Sequence, residues 1–97
     1  EIREEFRGLI QAHASFLQVN KRLKVALHGH TDERGTREYN LALGQKRAES
    51  VRKALVTLGV SDAQLEAVSF GEEKPMNQAN DEAAYAQNRR AELVYQQ

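Results

Sequence analysis

The pattern that most constrains the fold lies near the middle of the chain, where a strand, a polar loop and a helix follow one another. β-favouring apolar residues alternate with smaller or polar ones over 24–28, which predicts a strand ending at Gly29. Farther along, apolar residues recur at helical spacing over 45–58, and Gly44 can serve as the N-cap of this helix. The loop that joins the two elements is predicted to contain one irregular helical turn over 38–42.

The other elements are predicted from the same rules. An amphipathic helix is predicted near the start of the chain, with apolar-face positions at Ile2, Phe6, Leu9, Ile10, His13 and Leu17. Strands are predicted over 66–70 and 90–95, and an acidic pair begins a short helix over 81–88. Ser61 and Gln64 match a capping box. The order α-β-α-β-α-β predicts an α+β fold, in which a mixed β-sheet has helices packed on one face.

Length and composition indicate a single domain over residues 1–97 and argue against several classes of partner. The chain has 14 basic and 14 acidic side chains, so nucleic acid, which binds bulk positive charge, is not an expected partner. There is no cysteine, no apolar run near the roughly 20 residues of a membrane span, and no signal-peptide pattern. Because the chain begins with Glu1 rather than Met, we expect it to be a processed or truncated fragment.

A carboxylate and a guanidinium are predicted to form the candidate binding site. Asp32 lies just past the predicted strand, and Arg47 lies in the first turn of the predicted helix. A carboxylate can hold an ammonium group, whereas a guanidinium and free helix-start N–H groups favour a carboxylate. Together they suit a zwitterion such as the free end of an amino acid. The alternative is that Asp32 and Arg47 simply pair with each other and fix the loop.

Four neighbouring residues are predicted to support this site, and a fifth is ambiguous. Thr31 precedes the acid, and Gly35 is expected to supply a backbone angle that a β-carbon would forbid. Asn40 is expected to hydrogen-bond the loop backbone, and Leu43 to form a wall against an aliphatic part of the ligand. Tyr39 fits either the core or the rim of the site, and we favour the core.

Two adjacent arginines lie where the last predicted helix meets the last predicted strand. Neighbouring side chains there point to different sides, so at most one of Arg89 and Arg90 can reach the cleft. A solvated position is the simpler interpretation of Arg90. Arg89 is a candidate contact to the site or its loop.

A metal site is a further alternative, because His28, His30 and Asp32 form an H-x-H-x-D string. Glu33 stands where zinc hydrolases with a similar string have another histidine, and the remaining histidine, His13, lies far upstream. We therefore favour a structural role for His30, in which its ring bonds the loop backbone, and predict neither a metal nor a cofactor. No nucleophile elbow, phosphate loop or carboxylate pair across a sugar bond is evident, so we do not predict an enzyme.

Three motifs, in this order, resemble the OmpA-like peptidoglycan-binding domain. They are Thr31-Asp32-Glu33-Arg34-Gly35-Thr36, then Tyr39-Asn40 with Gln45-Lys46-Arg47-Ala48, and finally Asn88-Arg89-Arg90-Ala91-Glu92-Leu93-Val94-Tyr95. The resemblance implies a βαβαβαβ-type fold whose first strand is absent from this chain, so that one sheet edge is left unpaired. It also implies that Asp32 and Arg47 hold the diaminopimelate of a peptidoglycan stem peptide, with Thr31, Gly35, Asn40, Leu43 and Arg89 around them.

The motif details are most similar to the lipoprotein branch of that family. This resemblance implies a non-catalytic periplasmic protein that ties the outer membrane to the cell wall through an upstream lipid anchor not in this chain. It also implies a TolB-like periplasmic partner. The alternatives are a protein-interaction module for such a partner with weak wall binding, and the wall-binding tail of a porin or flagellar stator protein.

Overall fold

The computed structural model describes residues 4–96 and contains three helices and three strands in the predicted order. The elements are α1 (Glu4–Val19), β1 (Lys24–His30), α2 (Arg37–Thr57), β2 (Leu65–Gly71), α3 (Glu82–Asn88) and β3 (Arg90–Gln96), with a short 3-10 turn at Asp62–Gln64. The strand order is β2-β1-β3, with β1 parallel to β2 and antiparallel to β3. The predicted mixed sheet is therefore confirmed, and β3 lies at one of its edges.

The hydrophobic core lies on one face of this sheet. Buried side chains of α1 and α2 meet the β1 residues Val25 and Leu27 there, so both helices cover the same face, as predicted. The cluster consists of Ile10, Ala14, Leu17, Val25, Leu27, Ala48, Val51, Leu55 and Val60. Since successive strand residues point to opposite faces, His28 and His30 belong to the other face of β1.

Helix α1 buries a narrower stripe than the sequence pattern predicts. Ile10 and Leu17 are buried as expected, together with Ala14, but Phe6 and Leu9 are 49% and 58% exposed. The buried set follows the spacing i, i+4, i+7, which is one narrow helix face. Leu9 lies beside this face, whereas Phe6 continues it one turn closer to the start of the helix. Ile2, also predicted on this face, lies outside the described residues.

Helix α2 begins earlier than predicted. Thr36 is its N-cap, and the Thr36 hydroxyl accepts a hydrogen bond of 3.0 Å from the backbone N–H of Tyr39. The predictions of a start at Gln45 and an N-cap at Gly44 are therefore wrong. The helical turn predicted over 38–42 is present, but as the first part of one continuous helix. Arg47 lies about three turns into the helix rather than in its first turn.

A close contact between two backbones explains why glycine occurs inside α2. A β-carbon built on Gly29 of β1 would lie 1.8 Å from the carbonyl oxygen of Gly44. One built on Gly44 would lie 2.3 Å from Ser69 Oγ and 2.9 Å from the Gly29 carbonyl oxygen. Helix α2 thus lies directly on β1 because neither residue carries a side chain there, and Gly44 serves close packing rather than capping.

The other helix termini give one confirmation and one correction. The predicted acidic start of α3 is confirmed, and Asp81 is also its N-cap, since its carboxylate accepts a hydrogen bond of 2.9 Å from the N–H of Ala84. The capping box is wrong, because Ser61 makes no side-chain cap bond. The Gln64 amide instead lies 3.1, 3.1 and 3.0 Å from the carbonyl oxygens of Leu17, Asn20 and Leu23, and fixes the turn between α1 and β1. Within residues 4–96, no helix has both the length and the apolar character needed to cross a bilayer.

Candidate functional site

The candidate site begins where β1 ends. Thr31 follows the last strand residue, and its N–H donates to the carbonyl oxygen of Gly71 at the end of β2, at 2.8 Å. The Thr31 hydroxyl donates to the carbonyl oxygen of Asp32 at 3.0 Å, and both residues are buried. Thr31 therefore fixes the loop to the sheet and positions the carboxylate that follows it.

The carboxylate of Asp32 is surrounded by cationic donors. Its Oδ1 accepts from the backbone N–H and Nε of Arg34 at 3.0 and 3.3 Å. Its Oδ2 accepts from Arg34 Nη2 at 2.9 Å and from Arg89 Nη1 at 2.8 Å. The Arg34 hydrogen bond is the main cause that holds the pKa of Asp32 well below its usual range, with Arg89 adding to it and burial acting in the opposite direction.

Glu82, at the start of α3, completes this charged cluster. One of its carboxylate oxygens lies 3.4 Å from Arg34 Nη1 and the other 3.1 Å from Arg89 Nη2. The Arg34 guanidinium also lies over the Tyr85 ring, 4.6 Å from its centroid. Because the side chains of Arg34 and Glu82 are 52% and 70% exposed, these outer contacts contribute little to stability.

Arg47 has no carboxylate partner among the described residues, whereas Arg34 and Arg89 both pair with Asp32. Arg47 Nη1 donates to the carbonyl oxygen of His30 at 2.9 Å, and among residues 4–96 no carboxylate oxygen lies within 4.0 Å of its guanidinium. Burial is the main cause that lowers the pKa of Arg47, and the like charge of Arg89 lowers it further. A partly buried cation with unused N–H donors is well suited to an anionic ligand.

The structure corrects how the acid and the base were expected to act. Asp32 pairs with Arg34 and Arg89, so the alternative of an Asp32–Arg47 pair is wrong. The free helix-start N–H groups expected beside Arg47 are also absent, because Arg47 lies inside α2. What remains is a cluster of three guanidinium groups facing two carboxylates, with Arg47 as the cation least neutralised by the described residues.

The supporting residues are placed mostly as predicted. Gly35 has a φ of +99°, a left-handed conformation that favours glycine. The Asn40 amide donates to the carbonyl oxygen of Arg34 at 3.0 Å and to Glu72 Oε1 at 2.7 Å, which confirms its role in holding the loop backbone. Leu43 is partly buried one turn before Arg47. The prediction that Tyr39 belongs to the core is wrong, because Tyr39 is 62% exposed.

The Asn-Arg-Arg segment divides its roles among three neighbouring residues. Asn88 is buried, and its side chain accepts from the N–H groups of Met76 and Asn77 at 2.7 and 3.0 Å. Arg89 reaches Asp32, so its predicted contact with the site is confirmed. Arg90 does not have the solvated position that was expected. Its side chain is 16% exposed and its Nε donates to Glu92 Oε2 at 2.7 Å.

The family of the chain is decided by its sequence as a whole. The sequence profile of the OmpA family matches residues 1–89. The chain belongs to the OmpA family. The peptidoglycan-associated lipoproteins of Pasteurella multocida (strain Pm70) and Pseudomonas putida are 51% and 53% identical to it over 94 and 93 residues, or 97% and 96% of this chain. The chain spans 63% and 55% of the length of these two relatives.

Solved structures share the fold of this OmpA-family chain. The peptidoglycan-associated lipoprotein from Burkholderia pseudomallei, whose crystal structure is known, has a sequence 57% identical to this chain. Its structure superposes with a TM-score of 0.97 over 99% of this chain and 81% of that one. The C-terminal domain of Helicobacter pylori MotB is 26% identical with a TM-score of 0.89, over 100% and 76% respectively. The α+β prediction and the resemblance to the lipoprotein branch are confirmed.

Two residues of the charged cluster around Asp32 were not predicted from the sequence. Arg34 stands two positions after Asp32 in the same loop, a short spacing that could have suggested a contact. Glu82 is 50 positions after Asp32, and nothing local in the sequence brings the two together. The available signal was the acidic pair at the start of α3, which was interpreted only as favourable charge at the positive end of that helix.

The histidine string also has a different arrangement from the one considered. His30 is 1% exposed, and its ring stacks on Phe70 with a centroid distance of 5.6 Å and an interplanar angle of 15°. Neither ring nitrogen has a hydrogen-bond partner in the described part of the chain, so the predicted bond from His30 to the loop backbone is wrong. Burial is the main cause that lowers the pKa of His30. Asp32 is engaged by arginines and does not join the histidines.

The low pKa of Asp32 predicts how acid affects stability. The carboxylate stabilises the fold fully above its unfolded-state pKa of about 3.9, and this contribution is lost progressively as pH falls below that value. We expect Asp32→Asn to lower the free energy of unfolding at pH 7, and the difference from the unmodified chain to narrow between about pH 4 and pH 2. Urea denaturation across this range measures the difference.

A matched control for this prediction is Asp62→Asn. The side chain of Asp62 is 69% exposed and pairs with Arg52 on the surface, so we expect only a small difference at any pH. A difference for Asp32→Asn that stays constant from pH 7 to pH 2 contradicts the role assigned to its ionised carboxylate.

Proposed function

We propose that this OmpA-family domain binds peptidoglycan non-covalently, through the diaminopimelate of the stem peptide, and catalyses no reaction. The observation that carries the proposal is Arg47, a partly buried guanidinium with no carboxylate partner among residues 4–96. Its planar donor fork matches a carboxylate in two parallel hydrogen bonds. Diaminopimelate offers such a group, because its side chain ends in a carboxylate and an ammonium on one carbon.

The same ligand group assigns a role to Asp32. The four hydrogen bonds that Asp32 accepts use the capacity of its carboxylate, so a ligand ammonium has to replace one donor. Arg34 is the donor that yields, since its side chain is 52% exposed whereas that of Arg89 is 31% exposed. Arg89 stays in place and orients the acid.

The remaining candidate residues shape the site around this group. Leu43 lies one turn before Arg47 on the same face of α2, where it forms a wall for the aliphatic part of diaminopimelate. Thr31, Gly35 and Asn40 hold the loop in position through the contacts described above.

The names of the relatives support the substrate class and the cellular setting. The two relatives described above are called peptidoglycan-associated lipoproteins. By analogy, we place this domain in the periplasm, where it ties the outer membrane to the cell wall through a lipidated N-terminal segment outside this chain. We also assign it to the Tol-Pal system, with a TolB-like protein as its protein partner.

Discrimination between two stem peptides tests the proposal. We expect a muropeptide with diaminopimelate to bind about tenfold to over a hundredfold more tightly than one with lysine at the same position. Lysine lacks the second carboxylate, and a charge-assisted hydrogen bond is worth about 1.5–3 kcal/mol. Isothermal titration calorimetry measures both affinities.

A matched ligand isolates the charge itself. Amidation of the carboxylate at the free end of diaminopimelate leaves nearly the same shape but removes the charge of that group. We expect this amidated muropeptide to bind as weakly as the lysine form. Equal affinities for all three ligands contradict diaminopimelate recognition and favour binding to the glycan or to a protein partner.

A further inference from the structure

A second group of polar side chains lies on the sheet face opposite the helices. His28 and His30 are alternate residues of β1, and Glu92 of β3 is directly opposite His28 in the antiparallel register. One ligand atom from each of the three residues lies within 4.8 Å of the other two. None of these residues belongs to the charged cluster around Asp32.

The buried histidine of this group has polar atoms without partners. His30 is 1% exposed, and neither ring nitrogen makes a hydrogen bond within residues 4–96. Its Nε2 lies 3.3 Å from Glu92 Oε1, but without the alignment of a hydrogen bond. Buried polar atoms nearly always have a hydrogen-bond partner in folded proteins. The unpaired imidazole of His30 therefore points to a bound ion or ligand that supplies this partner.

Neighbouring groups hold the three side chains toward one another. The Phe70 ring contacts both imidazoles, with centroid distances of 4.8 Å to His28 and 5.6 Å to His30. Arg90 Nε donates to Glu92 Oε2 at 2.7 Å, which leaves Oε1 on the side of His30. This arrangement, in which an outer residue orients a carboxylate ligand, is typical of metal sites.

We propose that His28, His30 and Glu92 bind one divalent transition-metal ion of the zinc class. Two imidazoles and one carboxylate are a donor set that zinc uses in proteins, with water in the remaining position. Calcium and magnesium prefer oxygen ligands throughout, so this site disfavours them. The side chain of Glu92 is 39% exposed, which gives an ion a path from solvent.

Zinc titration of the untagged chain tests the site. We expect one zinc ion per chain by isothermal titration calorimetry, a zinc-dependent rise in the thermal unfolding midpoint, and neither effect with calcium. We expect His28→Gln and Glu92→Gln each to weaken zinc binding by at least about tenfold, since even changes outside the ligand shell often cost that much. Both residues are only partly buried, so these variants are better suited to the test than a variant of His30.

The matched control is His13→Gln. His13 hydrogen-bonds the hydroxyl of Tyr95 through Nδ1 at 2.7 Å and is not one of the three proposed zinc ligands. We therefore expect His13→Gln to leave zinc affinity unchanged. The absence of saturable zinc binding by the unmodified chain overturns the proposal. So does an unchanged zinc affinity in either His28→Gln or Glu92→Gln.

Discussion

Arg47→Ala is expected to reduce binding of a diaminopimelate-containing muropeptide by about tenfold to over a hundredfold while the fold is retained. The guanidinium is partly buried and has no carboxylate partner among residues 4–96, so we expect the ligand carboxylate to supply its main ionic contact. Losing a charge-assisted hydrogen bond costs about 1.5–3 kcal/mol, and more where the other charge is left buried. Calorimetric titration measures the affinity, and circular dichroism checks the fold.

Arg52→Ala is the matched control for that variant. Arg52 lies on the same helix, but its guanidinium is neutralised by Glu49 and Asp62, away from the candidate site. We expect muropeptide affinity to stay within about twofold of the unmodified chain. If Arg47→Ala also binds with unchanged affinity and an unchanged dichroism spectrum, Arg47 is not part of the binding site.

Gly29→Ala is expected to cause the largest loss of stability among single-methyl changes in this chain. The added β-carbon would lie 1.8 Å from the carbonyl oxygen of Gly44, which is a backbone atom and cannot turn away as a side chain can. Overpacking of this kind costs about 1–3 kcal/mol and sometimes more, because α2 has to move away from β1. Urea denaturation measures the loss in the free energy of unfolding.

Gly8→Ala makes the same chemical change where there is room for it. A β-carbon on Gly8 meets nothing within 4 Å, and the residue is exposed inside α1. Alanine is the better helix former by about 1 kcal/mol, so we expect Gly8→Ala to leave stability unchanged or to raise it. Similar small effects at both glycines contradict the close contact between α2 and β1.

The order of elements could be predicted because local patterns and tertiary packing agree for most of the chain. Alternation over residues 90–95 matches a strand whose Ala91, Leu93 and Tyr95 pack against the core. The acidic start of α3 matches an Asp81 cap. In these segments the side chains that favour the element are also those that its packing uses, so the sequence alone was sufficient.

The start of α2 could not be predicted in the same way. Gly44 is a poor residue for a helix interior, and from the sequence alone it indicated a boundary. Its place inside the helix depends on contact with Gly29, which is 15 residues away in the chain. A local signal for the true start existed, since Thr36 is a good N-cap residue and Glu38 suits a first turn.

The sequence indicated that Asp32 and Arg89 come close to each other, but not which side chains pair with Asp32. Asp32 and Arg89 come together because the loop after β1 and the junction before β3 meet at one end of the sheet. The sequence could not show that Arg34 and Arg89, rather than Arg47, neutralise Asp32. Which of several arginines reaches one carboxylate depends on side-chain directions that are set by the tertiary fold.

A crystal structure of this domain with a diaminopimelate-containing muropeptide bound tests the proposed site most directly. We expect the side-chain carboxylate of diaminopimelate to lie about 2.7–3.2 Å from the Arg47 guanidinium nitrogens, with the ammonium group on Asp32 and the Arg34 side chain turned away. A bound muropeptide that contacts neither Arg47 nor Asp32, with Arg34 still paired to Asp32, contradicts the proposed binding site.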